Sequence, residues 1–263
     1  MSVDIHPTAV VDPAAALGVG VVIGPYCVIG PHVTLGDRVR LVSHVCVDGR
    51  TSIGEGTVIY PFASIGHPPQ DLKYKGESSE LVIGRNNRIR EQVTMNPGTE
   101  GGGMVTRIGD GGLFMVGVHV GHDCIVGNNV IMANNATLGG HVEVGDHAVL
   151  GGLSAVHQFV RIGAHAMIGG MSGVEADVIP FGLVKGERAH LAGLNLIGLE
   201  RRGFSKDEIN ALRSAFRRIF HGESTMAERL AAAADEAGDS ALVRQMLSFL
   251  TDRSSRAITL PQR

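Results

Sequence analysis

The residues with the greatest chemical capacity lie close together: His119-Val-Gly-His122-Asp123-Cys124, then His141, then His157-Gln158. An imidazole can take up or release a proton near neutral pH, and a carboxylate beside it supports the imidazolium that results. Three chemistries use such groups. Imidazoles on one edge could bind zinc, but two residues separate His119 from His122 and five separate His141 from His147, so no H-x4-H pair forms and no metal is expected. Cys124 and His122 could form a nucleophile pair, yet Cys124 falls at an inward position of the repeat described below and reads as core. The third chemistry is a general base, His122 with Asp123, acting on a hydroxyl while other histidines hold the substrate. His6, His32, His44, His67, His147 and His165 read as solvated wall or turn residues.

A six-residue period positions these groups. Val11, Leu17, Ile23, Ile29, Leu35, Leu41, Val47, Ile53, Ile59 and Ile65 fall six apart, and a second run extends from Ile108 through Val120, Leu138 and Val156 to Val174. Glycine often follows the anchor (Gly18, Gly24, Gly30, Gly36), and a small or β-branched residue stands four positions on (Cys27, Val33, Val39, Val45, Cys124). No helix keeps this period. Very short strands separated by turns do, and three of them make a triangular coil of 18 residues whose neighbours stack about 4.8 Å apart. Val120, Leu138 and Val156 are one coil apart, so His122, His141 and His157 are expected over one another on one edge, with His119 just before them.

The period breaks twice, and excursions from the wall are expected near 66–82 and 96–107. After about residue 186 it ends: 1–186 reads as the repeat domain and 187–263 as a helical one. Ser205-Lys-Asp-Glu208 is a capping box opening a helix through about His221, and Ser224 and Asp239 are expected to cap two more.

Composition narrows the setting. With 44% hydrophobic residues and a net charge of −3, the chain is neither disordered nor a nucleic-acid binder, because neutralising phosphates needs a basic excess. Its 37 glycines with only 8 Phe, 3 Tyr and no Trp describe a chain that turns often and packs small aliphatic residues. Three cysteines without a CxxC spacing imply neither a disulfide framework nor a thiolate zinc site. No integral membrane segment and no leader at MSVDIHPTAV are expected, and the location is read as cytoplasmic.

The repeat, [Val/Ile/Leu]-Gly-x-x-small-x, resembles the hexapeptide acyltransferases, which implies a left-handed parallel β-helix and a homotrimer. More specific segments are QDLKY at Gln70–Tyr74, His119–Cys124, Met132–Leu138, Ala155-Val-His-Gln-Phe159, Ile162–His165 and Gly198–Phe204. Together, over nearly the whole chain, they resemble the acyl-carrier-protein–UDP-N-acetylglucosamine O-acyltransferases that open lipid A synthesis. That resemblance implies that His122 is the base for the glucosamine 3-hydroxyl, that Asp123 supports it, and that the Gly140 N–H faces the oxyanion. It implies further that Gln70, Asp71, Lys73, His141, His157 and Gln158 hold the sugar nucleotide, and His119 is a further candidate for binding substrate. Asn195 and Arg201 would reach its uridine and phosphate end or the carrier's pantetheine, and Gly170 would leave the acyl groove open to long chains. No cofactor is implied beyond the phosphopantetheine that arrives with acyl carrier protein. A basic run, Arg201, Arg202, Lys206, Arg213, Arg217 and Arg218, suits steering of that acidic partner.

This chain departs from the family's usual residues at Asn96-Pro97, Arg188 and Ile197. The alternative acceptor is the 3-amino analogue of the sugar, which the same base would serve. A related N-acyltransferase would need an additional N-terminal domain, and the repeat already begins by Val11. A structural or ice-binding β-helix would need a regular face of threonines, whereas Thr34, Thr51, Thr57 and Thr137 are scattered.

Overall fold

Two-residue strands recur at each hexad, so that the anchor faces inward and the residue before it faces out. Val28 is 46% exposed, whereas Ile29 beside it is 2% exposed. The computed structural model describes residues 2–252 and 254–262. Its strands form three parallel walls around one apolar core. Among the described residues the first wall has 11 strands, the second 9 and the third 8. The fold is a left-handed parallel β-helix followed by C-terminal helices, as the resemblance to the hexapeptide acyltransferases implied.

Strands within a wall pair residues 18 apart, as in Asp4 with Val22 and Val22 with Arg40. Where the excursions leave, the separation widens: Ser64 pairs with Thr94, and Thr94 with His119. The chain rejoins the third wall at Glu80 and again at Val105, two residues before each expected end, because Leu81 and Thr106 already point inward. Asn87 occupies an inward small position fully buried. Its Nδ2 donates to Gly109 O at 2.9 Å and its Oδ1 accepts from Gly112 N at 2.7 Å, so its polarity is satisfied.

The first wall closes with an antiparallel hairpin, Gly182–Lys185 against His190–Leu194, whose turn contains the 186/187 division. Helices α1 (Leu196–Arg201), α2 (Lys206–His221), α3 (Met226–Asp235) and α4 (Ala241–Thr251) follow. The expected Ser205–Glu208 capping box opens α2. The caps of α3 and α4 are Thr225 and Ser240, one residue beyond Ser224 and Asp239, because only there does the hydroxyl reach the backbone N–H three residues on. Past α4 the chain returns to the prism, where Asp177 N donates to Ala257 O and Thr259 N to Asp177 O, each at 2.8 Å.

Two histidines expected to be solvated are instead packed. His165 stacks on His147 at 4.8 Å and on Phe181 at 5.6 Å, with the Phe204 edge at 5.3 Å. Burial, then His147 and Arg202, push its pKa down to about 4, and its Nδ1 has no hydrogen-bond partner among the described residues. The unfolded imidazole takes its proton near 6.5, so between these values the unfolded state binds the extra proton. Stability should therefore fall as pH is lowered from 6.5 towards 4. Chemical unfolding across that range should show this loss, and His165→Phe, which keeps the stack, should reduce it; an equal pH dependence in both proteins would exclude His165 as its source.

Candidate active site

The corner after the second wall carries the site. Val120, Leu138 and Val156 are inward anchors there, and the residues three beyond them, Asp123, His141 and Phe159, all have positive φ (60°, 62° and 65°). That conformation turns the chain into the next wall and projects one side chain per coil from the edge. His141 consequently stacks flat on Phe159 at 4.3 Å, and His122 meets the His141 edge at 4.9 Å.

His122 is 8% exposed, and its Nδ1 donates to Asp123 Oδ2 at 2.7 Å. This bond fixes the tautomer, leaving Nε2 as the free lone pair. Nε2 looks towards Asp71 Oδ2, 4.0 Å away on the first excursion, and the ring lies against Gly140, where any Cβ would overlap it. The Asp123 carboxylate is fully buried and accepts from Thr99 N at 2.8 Å and Thr99 Oγ1 at 2.6 Å besides His122. Three donors offset the cost of burying this charge. His119 Nδ1 and the Thr94 hydroxyl are hydrogen bonded at 2.7 Å. Burial, then His122, lowers the His119 pKa, and burial is the largest cause lowering that of His141.

The other expected site residues are distributed differently. Gln70 and Lys73 are exposed on the first excursion, where the Lys73 N–H donates to Asp71 Oδ1 at 3.0 Å. His157 does not join His122 and His141 in one column. It stands one residue beyond its anchor, over Gly139 and Gly121 rather than over either imidazole, and its Nδ1 accepts from Arg256 Nη2 at 2.7 Å. Gln158 is exposed, and its carbonyl accepts from Arg256 Nε at 3.0 Å.

Gly170, Asn195 and Arg201 lie elsewhere. Gly170 follows the first-wall strand Met167–Ile168, at a different corner from His122, so no single edge of one chain joins them. Asn195 caps α1 by accepting from Gly198 N at 3.1 Å and donates to His165 O at 2.9 Å. With Arg201 it lines an apolar cavity of about 740 Å³ over the outward first-wall residues Ile131, Val149, Met167 and Leu183.

Of the three departures, Asn96 is buried and donates to His67 O at 3.0 Å, tying the second excursion to the base of the first. Exposed Arg188 pairs with Glu175 at 2.6 Å, and Ile197, 65% exposed, lines the cavity beside α1.

Two alternative chemistries lose ground in this geometry. Burial pushes the Cys124 thiol up to about 12, and its Sγ donates to Gly139 O at 3.1 Å, so it stays protonated in the core. Among the described residues, His122, Asp123 and His141 are the group whose atoms could surround a metal. However, His122 Nδ1 and Asp123 Oδ2 are 2.7 Å apart and hold a proton between them. Two ligands on zinc at about 2.1 Å each would stand about 3.4 Å apart.

Sequence reasoning missed Thr94, Thr99, Phe159 and Arg256. Phe159 was within its reach, being 18 residues beyond His141, whereas Thr99 lies in an excursion where no period operates.

Known proteins agree with the geometry. A family profile described as UDP N-acetylglucosamine O-acyltransferase, domain 2, matches residues 177–259. An acyl-[acyl-carrier-protein]–UDP-N-acetylglucosamine O-acyltransferase of Caulobacter vibrioides is 52% identical over 99% of both chains, and that of Paracoccus denitrificans is 58% identical over 78% of this chain and 77% of its own. A crystal structure of a UDP-N-acetylglucosamine acyltransferase superposes with a TM-score of 0.94 at 43% identity, covering 99% of this chain and 100% of the other. The LpxA structure from Acinetobacter baumannii gives the same TM-score and identity over 97% and 99%. With its three-walled prism, its two excursions and the His122–Asp123 corner, the chain is an acyltransferase that belongs to the acyl-[acyl-carrier-protein]–UDP-N-acetylglucosamine O-acyltransferase family.

Proposed function

We propose that the protein transfers a 3-hydroxyacyl group from acyl carrier protein to the 3-hydroxyl of UDP-N-acetylglucosamine, the first step of lipid A biosynthesis, with His122 as general base. The observation that carries this reading is the 2.7 Å bond from His122 Nδ1 to Asp123, which leaves Nε2 facing the space between Asp71 and Gly140. The 3-hydroxyl oxygen attacks the thioester carbonyl carbon while its proton passes to Nε2, and Asp123 balances the imidazolium. The Gly140 N–H faces the tetrahedral oxyanion, a contribution of about 3 kcal/mol in comparable sites. Collapse breaks the C–S bond, and the imidazolium returns its proton to the departing thiolate. No cofactor is required, since the phosphopantetheine belongs to the donor. Asp71 with Gln70 and Lys73, and the exposed His157 and Gln158, border the space for the sugar nucleotide.

The active assembly is a homotrimer in this reading. His122 and Gly170 stand at different corners of one chain, so an acyl group held at His122 of one protomer would run along the first wall of another. The apolar cavity over Val149 and Met167, on the wall whose strand Met167–Ile168 leads to Gly170, is suited to receive it. A Cβ at Gly170 would meet only the Gly152 backbone, 3.3 Å away, which leaves the corner bare. Among the described residues, no helix is long and apolar enough to cross a membrane.

Three measurements test the reading. With UDP-N-acetylglucosamine and hydroxyacyl carrier proteins, His122→Ala should lower turnover about 10²–10⁴-fold while nucleotide binding persists; turnover within a few-fold of the unaltered protein would remove the base. Mass spectrometry of the products should show preference for acyl groups of about 12 or more carbons, each buried methylene contributing about 0.8 kcal/mol, and Gly170→Met should move it to shorter chains. Trimers assembled from His122→Ala and Gly170→Met chains should regain long-chain transfer, because some sites then combine an intact His122 with a neighbour's Gly170. No recovery in mixed trimers, or a fully active monomer, would place the site within one chain.

A further inference from the structure

We propose that Thr99, on the second excursion, is a positioning residue for the His122–Asp123 pair, an assignment that rests on the reading of His122 as the base. Thr99 is 5% exposed and supplies two of the three donors on the Asp123 carboxylate, its N–H to Oδ1 and its hydroxyl to Oδ2. The third donor is His122 Nδ1, on the same Oδ2 as the Thr99 hydroxyl. A carboxylate gripped at both oxygens has a single orientation, and in it Oδ2 is aimed at the imidazole. Thr99 therefore sets the ring angle and tautomer of a base that it does not touch.

The loop around Thr99 is shaped for this grip. Its carbonyl accepts from Gly102 N and Met104 N, each at 3.0 Å, closing a tight turn over the carboxylate. Gly102 lies so close that any Cβ there would overlap the Asp123 carboxylate. The return of the loop is fixed as well: Gly98 N donates to Glu80 O at 3.2 Å, and Glu80 N to Met104 O at 2.8 Å. From beneath, Asp123 N donates to Thr106 Oγ1 at 2.7 Å. The charged and titratable groups facing the pair are Asp71 and Lys73 from the first excursion, His119 before it and the Cys124 thiol after it on the same coil, and His141 from the next. None of these donates to the carboxylate among the described residues, so its orientation depends on Thr99.

The test uses Thr99→Val, which keeps shape and N–H but loses the hydroxyl, and Thr99→Ser, which keeps both donors. Thr99→Val should lower kcat about tenfold with KM for the sugar nucleotide within about twofold, and Thr99→Ser should restore kcat. A carboxylate relieved of the hydroxyl binds a protonated imidazole more strongly, so the acid limb of the kcat/KM profile should move to higher pH in Thr99→Val. In ring-labelled protein, the proton shared by His122 Nδ1 and Asp123 should move further downfield in Thr99→Val and not in Thr99→Ser. That measurement needs no turnover, and it separates this inference from the choice of substrate. Gly102→Ala, which leaves Thr99 intact but crowds the carboxylate, should also lower kcat. Unchanged kcat, acid limb and resonance in Thr99→Val would overturn the assignment. So would equal losses in Thr99→Val and Thr99→Ser with the limb and resonance unmoved, or full activity in Gly102→Ala. Loss of turnover in both Thr99 variants with an unaltered acyl acceptor profile would leave the substrate reading standing.

Discussion

Each coil of this prism depends on a corner residue in the left-handed region of backbone space. An L-residue enters that region at a cost of about 1–2 kcal/mol, yet Tyr26, His44, Phe62, Asp123, His141, His147, Phe159 and His165 all adopt it. What holds them there is the parallel ladder, which registers every wall at intervals of one coil and leaves the corner no other path. The corner side chains then stack at the spacing of the ladder itself, about 4.8 Å. Tyr26 and His44 stand 4.9 Å apart, His147 and His165 4.8 Å, and His141 and Phe159 4.3 Å. The site inherits this spacing. Asp123 and His141 are consecutive rungs of one corner, and His122 comes to the edge of His141 because the turn at Asp123 carries it there.

A regular prism supplies rungs but no enclosure. The excursions provide it, and they reach the corner from two directions. The first brings Asp71 towards His122 Nε2, while the second covers Asp123 with Thr99 and Gly102. Asn96 joins the two loops through His67 O, and Glu100 N adds a 3.3 Å bond to Glu77 Oε1. A family position that differs in this chain thus has a mechanical role. It holds the loop that carries Asp71 through the His67 carbonyl at the base of that loop.

The walls were legible in the sequence because anchors six apart require short strands and turns, and the His122–Asp123 pair because the two residues are neighbours in a segment that resembles the family's. What hexad counting does not convey is the wall on which a residue falls, because within an unbroken run only multiples of 18 share one. Ile168 is 48 residues beyond Val120, not a multiple of 18, so Gly170 stands at the corner after the first wall and His122 at the corner after the second. His157 fails for a smaller reason. It is one residue past its anchor where His122 is two and His141 three, and a shift of one position at a corner changes the direction of the side chain altogether. Thr99 was beyond reach, since its role depends on where a loop lands and no repeat encodes that. Asn195, to which only the resemblance gave a ligand role, has its amide on the start of α1 and on the His165 carbonyl, a placement that no repeat encodes.

The environment of His122 also explains why several histidines share one corner without obstructing a proton transfer. Like charges close together would oppose an imidazolium, and two other rings lie near. Burial lowers the pKa of His119 and of His141, which favours the neutral form of both, so they act as hydrogen-bonding surfaces rather than cations. His122 alone has a buried carboxylate on its Nδ1, since His141 Nδ1 stays 3.9 Å from the same oxygen. A proton arriving on His122 Nε2 therefore meets a fixed negative charge across the ring and no positive charge from either neighbouring imidazole. Chemically similar side chains, one coil apart, are divided into one base and two neutral partners by the placement of a single carboxylate.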